Sequence, residues 1–169
     1  STHLLQFALK KILGNHIEQR GSMLTEDIFR FDFSHQSKLS DKELNDVEEL
    51  VKGLIKDEIK CVEDREANYD DAINAGAIGL FSEKYGDVVR TIKFGESYEL
   101  CGGTHVDNTK EIEDFKIISE GSQAFGIRRI TASSNKTRIK EEQLKDQAIK
   151  EKAESEKASK ILQKEIDSQ

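Results

Sequence analysis

The segment with the most chemical reach is Cys101-Gly102-Gly103-Thr104-His105. A thiol and an imidazole four residues apart, on either side of two glycines, can converge on one point, because glycine admits torsions that a side chain forbids. Sulfur and imidazole nitrogen are ligands that zinc favours, and two ligands from one tight turn are a common half of a tetrahedral site. Two other readings stay open. One is a cysteine–histidine nucleophile pair, although such partners are usually distant in sequence. The other is a turn whose two side chains act independently. The remaining residues of these types are His3, His16, His35 and Cys61. Taken singly, His3 is a helix-end residue, His16 a solvated loop residue and His35 part of a turn, while Cys61 sits in a strand where a thiol is buried and inert. Gln19 is a polar residue in a strand. Arg128 and Arg129 adjoin in a late strand, so that one points to solvent or a phosphate and the other across the sheet. Gly76, Gly79 and Gly86 are too irregularly spaced for a phosphate loop, and neither Walker nor dinucleotide spacing occurs.

These residues need elements to hold them. Leu4, Leu5, Ala8, Leu9 and Ile12 recur at helical spacing, which predicts a helix over 2–13 stopped by Gly14. Strands are expected over 17–24 and 28–34, around a turn at Thr25-Glu26-Asp27, with Phe29, Phe31 and Phe33 alternating against Arg30 and Asp32. Ser40 and Glu43 form a capping box for a helix running to about Asp57, whose apolar face is Leu44, Val47, Leu50, Val51, Leu54 and Ile55. A strand over 59–63, a short helix over 69–75 and strands over 88–94 and 98–101 follow, the last entering the Gly102-Gly103 turn. The final strands are expected over 115–119 and 126–132, separated by a glycine-bearing loop. The fold class is therefore α+β, an antiparallel-rich sheet with packed helices, followed by a long charged C-terminal helix.

Composition narrows the function. The chain has 169 residues with 26 Lys and Arg against 33 Asp and Glu, a net charge of −7, no Pro and no Trp. That balance excludes a generic basic nucleic-acid binder, which needs clustered Lys and Arg. The acidity is local, however: 41–71 holds twelve acids and five bases, a solvated face, so RNA is excluded from that face only. No run of eighteen apolar residues and no secretory leader are visible, so neither a membrane span nor export is expected. Two cysteines forty residues apart make no disulfide scaffold, which suits a reducing, cytoplasmic compartment. From Lys136 the composition changes, with nine Lys and Arg and eight Asp and Glu in the last 34 residues and glutamate–lysine pairs four apart.

Six blocks then resemble one family in order and spacing. They are Thr2-His3-Leu4-Leu5, Gly14 to Ser22, Arg30 to His35, Leu80 to Gly86, Cys101 to His105, and Gly126 to Ile130. Over residues 2–134 they resemble the editing domain of alanyl-tRNA synthetase, related to freestanding alanyl-tRNA editing proteins and to the threonyl-tRNA synthetase editing domain. The resemblance implies a zinc ion held by two helix histidines four apart plus the cysteine and histidine of the glycine turn. Carried over, the metal ligands here are His3, Cys101 and His105. The first helix histidine falls four residues before His3, outside this chain, so impaired hydrolysis is expected. The implied activity is hydrolysis of Ser or Gly mischarged on alanine tRNA, with Gln19 and Thr104 catalytic. Gly102, Gly103, Arg128 and Arg129 would then contact substrate or tRNA. Residues 1–135 are expected to form the editing domain and 136–169 a charged connector toward a C-terminal domain. The partners are tRNA and the rest of a synthetase; the ligase core is not expected in this chain. The alternatives are a freestanding trans-editing deacylase and a non-catalytic tRNA-docking metal module.

Overall fold

Alternation at β-strand period and burial at helical period account for most of the architecture. A computed structural model describes residues 1–80 and 83–166, with side chains to residue 161. Phe81 and Ser82 of the Leu80 to Gly86 block lie outside the described residues, as does the very end of the tail. The first helix, α1 (Thr2–Leu13), buries Leu4, Leu5, Ala8 and Leu9 and ends at Gly14, whose φ of 120° only glycine adopts easily. The hairpin of β1 (Gln19–Leu24) and β2 (Phe29–Ser34) follows. Phe29, Phe31 and Phe33 are fully buried on one face of β2, each stabilising the fold by roughly 1.5–3 kcal/mol. Helix α2 (Asp41–Lys56) starts with the Ser40–Glu43 capping box and buries Val47, Val51 and Ile55.

The strands are antiparallel, as expected, but divide into two sheets. One has the order β1-β2-β7-β6, with β6 (Lys116–Ala124) and β7 (Ile127–Ser133) forming a hairpin. The other has the order β3-β4-β5, formed by β3 (Cys61–Asn68), β4 (Val88–Phe94) and β5 (Ser97–Leu100). A short helix, α3 (Tyr69–Asn74), and a 3-10 turn at Thr109–Ile112 complete this body. One core joins α1, α2 and both sheets through Leu5, Leu9, Phe31, Val47, Ile92 and Phe115. A smaller cluster of Ala72, Ala77, Val89 and Leu100 lies beside β4 and β5.

Two strand boundaries and one added element depart from expectation for identifiable reasons. Strand β3 continues to Asn68, because Asp64 to Asn68 pairs with β4 across a bulge while keeping its acidic side chains exposed. An exposed edge strand shows no apolar alternation to read. Strand β6 likewise extends to Ala124, and the expected loop is a tight turn at Phe125-Gly126, with Gly126 at φ 69°. The 3-10 turn is nucleated by the Asn108 side chain, which accepts from Lys110 N at 2.9 Å.

The residues form two units dividing between Asn135 and Lys136. The second contains α4 (Lys136–Ile166), a helix laced by pairs such as Arg138–Glu142 at 2.7 Å and Lys145–Glu142 at 3.0 Å. Among the described residues, no helix is long and apolar enough to cross a membrane.

Candidate metal centre and adjoining cavity

Two segments deliver the three candidate ligands. Packing of Leu4 and Leu5 into the core fixes the first turn of α1 and carries His3 with it. Strand β5 ends at Leu100, where Leu100 N donates to Ile78 O at 2.8 Å, and the chain then leaves the sheet into the glycine turn with Cys101 and His105. One ligand atom from each of His3, Cys101 and His105 lies within 4.8 Å of the others. The His3 and His105 Nε2 atoms are 2.8 Å apart, and their rings are tilted by 42°.

Glu99 explains the orientation of His3. Its carboxylate accepts a hydrogen bond from His3 Nδ1, leaving Nε2 to face the other two residues. A carboxylate behind an imidazole fixes the tautomer and is the usual partner of a metal-binding histidine. Glu99 is only 7% exposed, so this acceptor is fixed by its burial. Nδ1 of His105 is buried and has no hydrogen-bond partner among the described residues, so this ring holds bonding capacity that the protein does not use.

The electrostatics differ among the three candidate ligands. Burial opposes charge on His3, but its hydrogen bonds to Cys101 and Glu99 and their charges outweigh that and raise its pKa to about 9. His105 is lowered to about 4, by burial first and then by the charges of His3 and Arg90. The His3 hydrogen bond lowers the Cys101 thiol against the opposing effect of burial. At neutral pH, His105 is thus neutral, the form that binds metal, whereas His3 carries a proton that a metal must displace, so ligation releases that proton. One sulfur and two imidazole nitrogens, with a carboxylate behind one ring, fit a borderline-soft divalent ion of the zinc type.

Beside this cluster lies a cavity of about 380 Å³, within the size range of small-ligand sites. His3, Gln19, Cys101, Gly102 and Gly103 all line it. The Gln19 side-chain amide donates to Ser22 Oγ at 3.2 Å, and both side chains belong to the lining. Thr104 is exposed on the turn and is not part of the lining. Arg128 and Arg129 also lie apart from it. Arg128 Nε donates to Glu120 at 2.5 Å, while Arg129 makes a two-point pair with Asp32 at 2.7 and 2.9 Å. The remaining two histidines meet each other, His16 Nε2 and His35 Nδ1 being 2.8 Å apart. Cys61 is half-buried and free, its thiol pushed up by burial and then by Glu63.

Two contributors escaped the sequence reading. Glu99 stands two residues before Cys101, and an acid in the buried register of a short strand was the available signal. Gln6 is 3% exposed, lines the cavity and lies one helical turn after His3. Its i+3 spacing from His3 placed both on one flank of α1.

The chain is similar in sequence to known proteins over most of its length. Residues 89–131 match the family described as threonyl and alanyl tRNA synthetase second additional domain. The chain is 52% identical over 145 residues to an alanine–tRNA ligase of Christiangramia forsetii, covering 85% of this chain and 17% of that protein. It is 54% identical over 132 residues to that of Flavobacterium psychrophilum and 53% identical over 133 residues to that of a Thermotoga species. Each of these two matches covers 78% of this chain and 15% of the relative. The chain therefore spans about a sixth of the length of the curated relatives it matches.

Proposed function

Because the chain is a relative of the alanine–tRNA ligases and carries the second additional domain of threonyl and alanyl tRNA synthetases, we propose that Ser1–Asn135 is an editing domain. It hydrolyses the ester that joins serine or glycine to alanine-specific tRNA, with Lys136–Gln169 as a charged connector. The observation that carries this reading is the convergence of His3, Cys101 and His105 on a cavity that Gln19, Gly102 and Gly103 also line.

The chemical need is clear. A synthetic pocket shaped for alanine cannot sterically refuse the smaller glycine, and rejects one added hydroxyl only modestly, so a second, hydrolytic site supplies the missing discrimination. His3, Cys101 and His105 would hold a zinc ion, which when bound polarises a carbonyl or makes water more acidic. The protein's own groups do the rest. Glu99 keeps His3 in the tautomer that directs Nε2 to its neighbours. Gly102 and Gly103 have no side chains, so an ester-bearing ribose can approach the backbone closely. Gln19 offers an amide inside the cavity, and Thr104 follows the lining glycines as the second proposed polar contact to the reacting end. Arg128 and Arg129 are paired with Glu120 and Asp32, which leaves their remaining guanidinium N–H groups for an RNA phosphate.

The test is deacylation of Ser-tRNA and Gly-tRNA of alanine specificity, with zinc supplied, by the chain extended so that a histidine stands four residues before His3. Cys101→Ala and His105→Ala are expected to abolish zinc retention and reduce hydrolysis by about 10²-fold or more. Hydrolysis that persists in both variants rejects the metal assignment. Binding of tRNA without any deacylation by the wild type identifies a docking module instead.

A further inference from the structure

The glycine turn that carries two of the three candidate ligands has little to hold it in place. Among the described residues, no backbone–backbone hydrogen bond involves Gly102, Gly103, Thr104 or His105. A Cβ built on Gly102 would meet nothing within 4 Å, so packing does not confine that residue either. What does reach the turn is Arg90, in the middle of β4. Its carbonyl accepts from Cys101 N at 3.2 Å, where β5 ends. Its Nη1 donates to the Cys101 carbonyl at 3.1 Å and also to the Gly103 carbonyl. Its Nε donates to Glu63 on β3 at 2.5 Å. One planar cation thus joins β3, β4 and both carbonyls flanking Gly102. The side chain is 25% exposed, which limits the solvent's ability to replace these bonds.

We infer that Arg90 is the positioning residue of the Cys-Gly-Gly-Thr-His turn, with Glu63 orienting its guanidinium. It acts through the backbone: by tying the carbonyls of Cys101 and Gly103, it sets where the Cys101 sulfur and the His105 ring stand relative to His3. Guanidinium geometry matters here, because five N–H donors in a rigid fork serve several acceptors at fixed angles. A lysine at the same place delivers a point charge to one carbonyl and loses the fork.

Three readouts on Arg90→Met, Arg90→Lys and Glu63→Gln in the full chain test this role. Zinc affinity, measured by chelator competition, is expected to fall about 10–100-fold in Arg90→Met, as for other groups that orient metal ligands. Arg90→Lys is expected to recover only part of that loss, and Glu63→Gln to lose less than Arg90→Met. In metal-free Arg90→Met, alkylation of Cys101 is expected to accelerate several-fold while Cys61, which loses the nearby Arg90 charge that lowers its thiol, does not accelerate. In deacylation, kcat is expected to fall with KM unchanged. This arm alone rests on the editing reading, so an inactive wild type refutes that reading while the other two readouts still judge Arg90. Wild-type zinc affinity and an unchanged ratio of Cys101 to Cys61 alkylation in folded Arg90→Met overturn the inference. Equal acceleration of both cysteines also overturns it, since that marks general loosening of the sheet. If Arg90→Met does not fold, Arg90→Lys decides by the same ratio and Glu63→Gln by zinc affinity alone.

Discussion

Replacing Glu99 isolates how the candidate metal centre is held. Its carboxylate, 7% exposed, accepts from His3 Nδ1 and leaves His3 Nε2 facing His105. Glu99→Leu removes both the charge and the acceptor. Groups behind metal-binding histidines are worth about 10–100-fold in affinity. At about 1.4 kcal/mol per factor of ten, that is about 1.4–2.8 kcal/mol. Glu99→Gln keeps an oxygen that can accept from Nδ1 and loses only the charge, so its loss is expected near the lower end, about tenfold. The metal-free protein should show a separate cost in Glu99→Leu, about 1–3 kcal/mol, for an imidazole N–H left unpaired in a largely buried place. The assay is zinc competition against a chromophoric chelator at fixed pH, beside denaturant melts of the metal-free proteins that separate affinity from folding. Zinc affinity of Glu99→Leu within twofold of wild type refutes the reasoning. So does a larger loss in Glu99→Gln than in Glu99→Leu, because retained orientation must count for something.

Two further outcomes concern the body around the site. The Glu120 side chain is 2% exposed and that of its partner Arg128 is 13% exposed, so Glu120→Ala strands a buried cation and is expected to destabilise the protein by about 3–5 kcal/mol in denaturant melts. The double replacement Glu120→Leu with Arg128→Met should restore much of that loss; a double variant as unstable as the single one contradicts the ion-pair account. The His16–His35 contact predicts a pH dependence. Burial and then the charge of His16 lower the His35 pKa, so the unfolded chain takes up the proton first and stability falls as pH drops through about 6.5. His16→Asn should lose less Tm than wild type between neutral pH and about pH 5; equal losses show that the pair does not govern the acid limb.

Local patterns in the sequence carried much of this fold. Helix α1 and its Gly14 stop, the phenylalanine alternation of β2 and the Ser40–Glu43 box are all readable because each depends on contacts within a few residues. The same holds for the glycine turn, whose cysteine and histidine are set four apart by the chain itself. The long acidic extension of β3 and the partition into two sheets were not readable, since exposed strands are specified by their partners and not by their own apolar period.

The site divides in the same way. By itself the sequence determined which residue types are present and which of them are neighbours along a helix or turn. Only the tertiary structure decided that His3 stands 2.8 Å from His105 across more than a hundred residues of chain. It also decided that Glu99 backs His3, and that Arg90 reaches two carbonyls of the turn while Arg128 and Arg129 are held by carboxylates. The reason is physical. Periodicity and capping are short-range properties of a chain, whereas the partner of a polar group depends on which distant segments burial brings beside it and on how little water is left there to compete.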